Sequence, residues 1–496
     1  MKDNPKLYEI NTVAWLYELS RQYGNKINIG NVPTEQWDRL KDIGFDCIWL
    51  MGIWKRSEEG IRIFRTGTEW RSFRELFDSV LPGWTDDDIV GSPYSIASYS
   101  PDPMVGSWED MGKVGEELHG RSMKLILDFV PNHTAPDHPW IFEHPDFYFQ
   151  GSDSDVEQNQ LLFNRIQNGK KVLNVARGKD PFFPPWSDTA QLNYFNPHMR
   201  SAMILELKRI ADCCDGVRCD MAMLILNDIF NKNWEWAKKK IPYERPAKEF
   251  WQEVRDAVPG FLLIAETYWG TESQLQQLGF DHVYDKKLYD RLRSFSPHDV
   301  VLHLKAAVSF QKKLVRFIEN HDELRSADIF SGKTSFAAAT LFSTLPGMKL
   351  YHHGQLEGKR VRLPMQLRRV SHEEPNQELK AFYERLLYIT KKDLFYDGEW
   401  QLKEVASAGD DNFRNLIAHR WKARNRLKLI VVNLSQDYSQ GRISLKNEIS
   451  GEMAYIVNDE LNDQSYVRQG KDMADPGLHV ILEGWQSHIF DISPKL

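Results

Sequence analysis

Cysteine is scarce in this chain, with four in 496 residues, at positions 47, 213, 214 and 219. Two of the four are adjacent, and strand alternation turns the others apart, which argues against a disulfide framework or a zinc site. They read as reduced thiols in a core. Residues 1–10 carry charge and Pro5 but no apolar leader-like stretch, and no run of about 18 apolar residues occurs anywhere. Neither secretion nor a membrane span is signalled, so the cytoplasm is the expected location. An excess of one charge is also missing: 63 basic and 70 acidic residues are interspersed, for a net charge of -7. Such a balance leaves no electrostatic footprint for nucleic acid or an acidic membrane, and a neutral partner is the simplest inference. No G-x-G-x-x-G follows an apolar run, and no internal repeat is visible.

What is present is length and aromatic content. At roughly 150 residues per domain, the chain has room for two or three domains, one of them a large barrel. Aromatics make up 12% of the sequence, with 16 tryptophans, which suits a sugar-binding surface and a large core equally. Short apolar runs at 7–11, 47–51, 124–130, 216–220, 261–266, 282–284, 315–319 and 348–351 each precede an amphipathic pattern, the signature of βα units. Eight such strands close a (β/α)8 TIM barrel; an open doubly wound sheet is the competing arrangement, less favoured without a glycine-rich phosphate loop. A polar and aromatic insertion at 54–94 is expected to wall the barrel mouth. The Pro-rich stretch 133–196, inserted after strand three, is too long for an ordinary loop and reads as a subdomain. Past a helix expected at 378–390, short runs at 415–419, 427–433, 442–445, 453–456 and 478–482 indicate a C-terminal antiparallel β domain. The expected division is therefore a barrel at 1–132 and 197–395, an inserted subdomain at 133–196 and a β-sandwich at 396–496.

Active sites of such barrels are built at the C-terminal ends of the strands. Four of these ends are polar: Asp128 to Asn132-His133 after strand three, Arg218-Cys219-Asp220 on strand four, Glu266 on strand five, and Asn320-His321-Asp322 after strand seven. At strand period Arg218 and Asp220 share a face, and a permanent cation there is expected to lower the Asp220 pKa and hold it ionised for attack. Glu266 follows the apolar run 261–265 with no cation near it in sequence, a setting that raises a carboxyl pKa toward that of a general acid. Neighbouring strands lie about 4.8 Å apart, so the two carboxyls suit the roughly 5 Å spacing of a retaining glycosidase. An oxygen-ligand Mg²⁺ site uses the same kind of cluster. Trp54, Trp186 and Trp269 either extend a sugar cleft or pack in the core.

These four segments, in this order, resemble the motifs of the α-amylase family of glycoside hydrolases, and the resemblance spans nearly the whole chain. It implies that Asp220 is the nucleophile, Glu266 the general acid/base and Asp322 the third carboxylate, gripping sugar hydroxyls. By the same resemblance Arg218 orients Asp220, Asp128 braces Arg218, His133 and His321 bind sugar hydroxyls, and Tyr94 is the platform on which the sugar stacks. The implied partner is an α-glucan or oligosaccharide, cleaved through a covalent glycosyl-aspartate, with no required cofactor. Departures also appear. Where many members carry Lys-His after the nucleophile, this chain has Met223 and Leu224. Calcium is commonly held by the Asn at the Asn132 position together with an aspartate, and Ala190-Gln191-Leu192-Asn193 puts an amide there; hard cations depend on carboxylates for affinity, so calcium binding is weakened. Gly91, in place of an Asp common in exo-acting glucosidases, weakens a strictly exo reading. Transfer to a sugar acceptor by the same residues, and a barrel that binds carbohydrate without catalysis, are the alternatives.

Overall fold

The structure, a computed structural model, describes residues 2–67 and 69–495. Residues 1, 68 and 496, the first and last of which bound the expected segments, lie outside the described residues. The eight apolar runs are the eight strands of a closed parallel barrel: β1 Lys6–Asn11, β2 Cys47–Met51, β3 Lys124–Phe129, β4 Gly216–Cys219, β5 Leu262–Ala265, β6 His282–Tyr284, β7 Leu314–Arg316 and β8 Met348–His352. Each pairs with its sequence neighbours, and β1 closes the ring onto β8. Their side chains are buried almost throughout, as expected of strands covered by helices outside and packed side chains within. The seventh strand is shorter than 315–319: its ladder ends at Arg316, and Phe317 and Ile318 continue buried without pairing.

Register sets the site. Arg218 lies between Asp128 on β3 and Ile264 on β5. Asp220 and Glu266 sit one residue past the ends of their strands, yet the ladder reaches them, since the Asp220 amide donates to Phe129 O at 2.8 Å and the Glu266 amide to Cys219 O at 3.1 Å. Both carboxylates therefore start from backbone held by neighbouring strands.

The insertion after β2 opens with Trp54–Arg56 paired antiparallel to Ile96–Pro101, and between them stand helices Glu58–Thr66 and Trp70–Val80. Ser57 caps the first, its hydroxyl accepting from Gly60 N at 2.6 Å. Phe64, Phe77, Leu81, Ile89 and Leu367 form a separate small core there, joined by Trp70, Phe73 and Trp84. The stretch after β3 forms two small ribbons, His133–Thr134 with Ala190–Gln191 and Phe163–Asn168 with Lys171–Ala176.

Beyond helix Gln377–Thr390 lies a six-stranded antiparallel sheet, in the order Glu399–Lys403, Leu416–Ala423, Arg426–Asn433, Ser487–Pro494, Ala454–Asp459, Gln464–Gln469. A two-stranded sheet, Ser439–Ile443 with Leu478–Leu482, shares a core with it through Leu429, Val457, Val480 and Phe490. Three strands of the large sheet were not among the expected runs. Gln464–Gln469 and Glu399–Lys403 are polar edges, and Ser487–Pro494, although central, interrupts its apolar pattern with Ser, His and Asp. The sheet docks on helix Lys333–Thr344, with Trp421 Nε1 donating to Thr344 O at 2.7 Å. No helix among the described residues is long and apolar enough to cross a membrane.

Two glycines give opposite expectations for stability. A Cβ at Gly216 would meet Leu262 Cβ and O at 2.6 Å, so Gly216→Ala should cost about 1–3 kcal/mol through overpacking between β4 and β5. Gly112, exposed in helix Trp108–Gly120, has nothing within 4 Å of its Cβ direction, and Gly112→Ala should gain roughly 0.5–1 kcal/mol. Denaturant midpoints of the two variants check both signs.

Candidate active site

Arg218 projects from β4 with its guanidinium fully buried. Nη1 donates to Asp220 Oδ1 at 2.6 Å, and Nη2 lies 2.7 Å from Glu266 Oε2. The second contact is a close charge pair rather than an aligned hydrogen bond, because Nη2 has no partner of hydrogen-bond geometry. Three aromatic rings surround the cation: Trp49, Tyr94 and Tyr284, at 5.2, 5.3 and 5.6 Å from Cζ. Two expectations change here. Arg218 serves both carboxylates, although Glu266 has no cation near it in sequence. The Asp220 pKa, expected to be lowered, is raised: burial outweighs the attraction of Arg218, and the Asp322 and Asp128 carboxylates push the same way as burial.

Glu266 has its own pattern. Oε2 accepts from the Met221 amide at 2.7 Å, and Oε1 accepts from the Tyr268 hydroxyl at 2.8 Å. Burial raises its pKa to about 7, against the pull of Arg218 and with help from Asp220 and Asp322. Asp322 goes the other way. Its pKa is pushed down to about 2: burial opposes ionisation, but the His321 cation beside it prevails, with Arg218 and Arg362 adding to the pull. The Asp322 loop is shaped by Asn320, whose Oδ1 accepts from the amides of Asp322 and Glu323 at 3.0 and 2.9 Å.

His321 joins several elements. Nδ1 meets Glu9 Oε1 from β1 at 2.5 Å, while Nε2 lies 2.9 Å from both Asp322 Oδ2 and the Tyr94 hydroxyl. Burial disfavours its charge, yet Asp322 and Glu9 together raise its pKa well above the usual imidazole range. His133 is the opposite case: burial lowers it to about 4, so it is a neutral ring, packed 5.3 Å from Trp186.

Asp128 does not brace Arg218 directly. No ion pair joins them among the described residues; Asp128 Oδ1 accepts from Trp49 Nε1 at 3.1 Å and Oδ2 from the Gly52 amide at 2.6 Å. With its hydrogen bonds spent on the floor of the site, its pKa is raised by burial to about 6, Arg218 opposing.

Asn132 is held by Gln191, the two exchanging amide hydrogen bonds at 3.2 and 3.1 Å, and Gln191 also donates to Asn132 O at 2.8 Å. Neutral amides that already satisfy one another do not fit a hard-cation site, which wants carboxylate oxygens free to converge. Among the described residues, no group of three or more His, Cys, Asp or Glu converges in a way that would hold a metal.

These side chains open into a cavity of about 390 Å³ lined by Tyr94, His133, Trp186, Asp188, Asp220, Met221, Glu266, Tyr268 and Asp322. Phe64, Glu69 and Phe73 close one side, so the helical wall faces the site. Of the three tryptophans, Trp54 is core, its indole donating to Asp128 O at 2.7 Å; Trp186 lines the cavity; Trp269 is 42% exposed and packs edge-on to the exposed Phe182 at 5.1 Å. Sequence reasoning passed over Glu9, Met221 and Tyr268. For Glu9 a signal existed, a lone acid inside the apolar run of β1; Met221 acts through its backbone, and Tyr268 lies in a loop.

Comparison with known proteins agrees with this geometry. The model of the α-amylase catalytic domain matches residues 20–427. Alpha-amylase 3 of Dictyoglomus thermophilum is 24% identical over 398 residues, 74% of this chain and 71% of that one. Alpha-amylase MalA of Haloarcula japonica is 25% identical over 66% of this chain and 41% of its own length. Among solved structures, the maltogenic α-amylase AmyB of Thermotoga neapolitana has a TM-score of 0.68 at 21% identity, covering 98% of each chain. The α-amylase of Geobacillus thermoleovorans complexed with acarbose has a TM-score of 0.65 at 17% identity, covering 99% of each. The structural likenesses establish the fold.

The charge on His321 can be read directly. In ¹⁵N-histidine spectra, assigned with His321→Gln, the His321 ring should remain protonated past neutral pH. Glu9→Gln removes one of its two carboxylates and should bring that titration down toward the ordinary range, while His133 stays neutral above about pH 5.

Proposed function

The chain belongs to the α-amylase family of glycoside hydrolases, and on that premise we propose that it cleaves α-glucosidic bonds of glucans or oligosaccharides with retention of configuration. The observation that carries this reading is the single guanidinium that touches both Asp220 and Glu266. Carboxyls held on the two terminal nitrogens of one arginine favour the spacing of roughly 5 Å used by retaining enzymes over the roughly 6.5–9.5 Å that leaves room for an inverting water.

In the first half-reaction Asp220 bonds to the anomeric carbon, the glycosidic C–O bond breaks, and Glu266 gives its proton to the departing oxygen. In the second, water bonds to that carbon as the Asp220–carbon bond breaks, and Glu266 takes the water's proton. Environment sorts the roles. Glu266, raised to about 7, holds a proton near neutrality, whereas Asp322, near 2, stays a carboxylate able to accept from sugar hydroxyls. The neutral His133 ring offers a donor and Tyr94 a ring face at the cavity wall, and the His321 cation, its nitrogens on Glu9 and Asp322, steadies the Tyr94 hydroxyl. Arg218 keeps Asp220 in line without entering the bond changes. No step is assigned to a metal.

Transfer to a sugar shares the first half-reaction, and the exposed Phe182–Trp269 pair beside the Glu266 loop favours it. Products from maltooligosaccharides distinguish the two, because transfer makes chains longer than the substrate and hydrolysis makes only shorter ones.

Asp220→Asn and Glu266→Gln should each lower cleavage by roughly 10²–10⁴-fold or more, in a barrel that still folds but is less stable for the lost charge beside Arg218. With an activated fluoro-sugar, mass spectrometry should locate the adduct on the peptide carrying Asp220; full activity in either variant would sink the assignment. Because the acid must hold its proton, kcat/KM should fall as pH rises through about 7.

A further inference from the structure

Glu266 is gripped at both oxygens by groups of different kinds. Oε2 receives the Met221 amide and lies against the Arg218 cation, whereas Oε1 meets the Tyr268 hydroxyl. The amide contact is made under backbone strain. Met221, with φ 41° and ψ 47°, is a non-glycine residue in the left-handed region directly after Asp220. Such a conformation is strained for a residue with a Cβ and persists only where its surroundings impose it. An N–H and a guanidinium on Oε2 both favour negative charge there, so the proton of the neutral acid belongs on Oε1. That is the oxygen Tyr268 touches.

A phenol suits this position because its O–H can rotate. It donates to Oε1 when Glu266 is a carboxylate and accepts from Oε1 when Glu266 is an acid, which an ammonium or guanidinium cannot do. Tyr268 itself stays neutral, because burial and the Glu266 and Asp322 carboxylates raise its pKa well above the usual phenol value. Tyr268 also lines the cavity, together with Asp220, Glu266 and Asp322.

We infer that Tyr268 is a positioning residue for the proton transfers of Glu266, its hydroxyl fixing Oε1 as the oxygen that releases and recovers the proton. The inference rests on the acid/base reading of Glu266 proposed above. In the first half-reaction the Oε1 proton passes to the glycosidic oxygen, which keeps the electron pair of the broken C–O bond. In the second, Oε1 takes a proton from the water that bonds to the anomeric carbon, while Asp220 leaves with its own electron pair. Tyr268 stabilises the carboxylate present between the two steps.

The charged and titratable groups facing Glu266 are Arg218 on β4, Asp220 after it, Tyr284 on β6, Asp322 after β7, and Tyr268. Tyr268→Phe deletes one hydroxyl and leaves every charge in place. Donation to the carboxylate favours the ionised form, so its loss should raise the Glu266 pKa and carry the alkaline limb of kcat/KM upward by roughly 0.5 to 1 on the pH scale. We expect kcat to fall about 10-fold with KM nearly unchanged, because the bond is made to the reacting acid and not to the sugar. A folded Phe variant whose alkaline limb stays at the wild-type pH overturns the inference. If that variant does not fold, Tyr268→Gln, which keeps a donor, is compared with Tyr268→Leu, which keeps only bulk; a limb displaced in Leu but not in Gln supports it, and equal limbs overturn it. Glu266→Gln run alongside separates the two layers: full activity there removes the acid/base reading itself, whereas an inactive Gln variant with an unmoved limb in Tyr268→Phe removes only the role of Tyr268.

Discussion

A guanidinium with no solvent contact, set between two carboxylates, is the constraint around which the barrel's upper end is arranged. Arginine does not deprotonate, so the cost of burying Arg218 must be met by its neighbours. Asp220 and Glu266 supply opposite charge, and the faces of Trp49, Tyr94 and Tyr284 supply quadrupole attraction. Each of these groups is useful to the chemistry for the same reason that it is useful to the arginine. Removing one partner of such a buried pair typically costs 3–5 kcal/mol, which ties the shape of the site to the stability of the barrel.

Burial alone would push all the carboxyls upward, and their partners sort them. Glu266 has an arginine that must also serve Asp220, and ends near 7; Asp322 has His321 beside it, and ends near 2. His321 keeps its charge because Asp322 faces one of its nitrogens and Glu9, on the first strand, meets the other. The protonation state of a loop after β7 is thus set partly by a residue some 300 positions earlier, brought alongside when β1 closes the ring. Closure of the barrel is what brings Glu9 within reach of His321.

That dependence explains what could be read from the chain. The eight strands were legible because a strand buried on both faces reads as a near-continuous apolar run, and the acids at their ends stood out against those runs. Period and spacing carry no information about reach across strands. Arg218 touching Glu266, Asp128 turning to Trp49 and Gly52, and the upward direction of Asp220 all arise from neighbours on other strands. The polar edges of the terminal sheet were hidden for a related reason: an edge strand such as Gln464–Gln469 has little to bury, and therefore no pattern to display.

The wall over the cavity follows a different logic. Its aromatic residues, Phe64, Phe77 and Trp84 among them, pack into a small core separate from the one that fills the barrel, and among the described residues only Phe64 and Phe73 of the two helices, with Glu69 between them, reach the cavity. The bonds that hold the reacting groups run instead through strand ends and their hydrogen-bonded loops. A change in the wall can therefore alter what the cavity admits without disturbing Arg218 or its partners, whereas a change among the strand ends moves charge and fold together. The division follows from the burial pattern: the wall packs on a core of its own, while the reacting groups hang from the staves beneath.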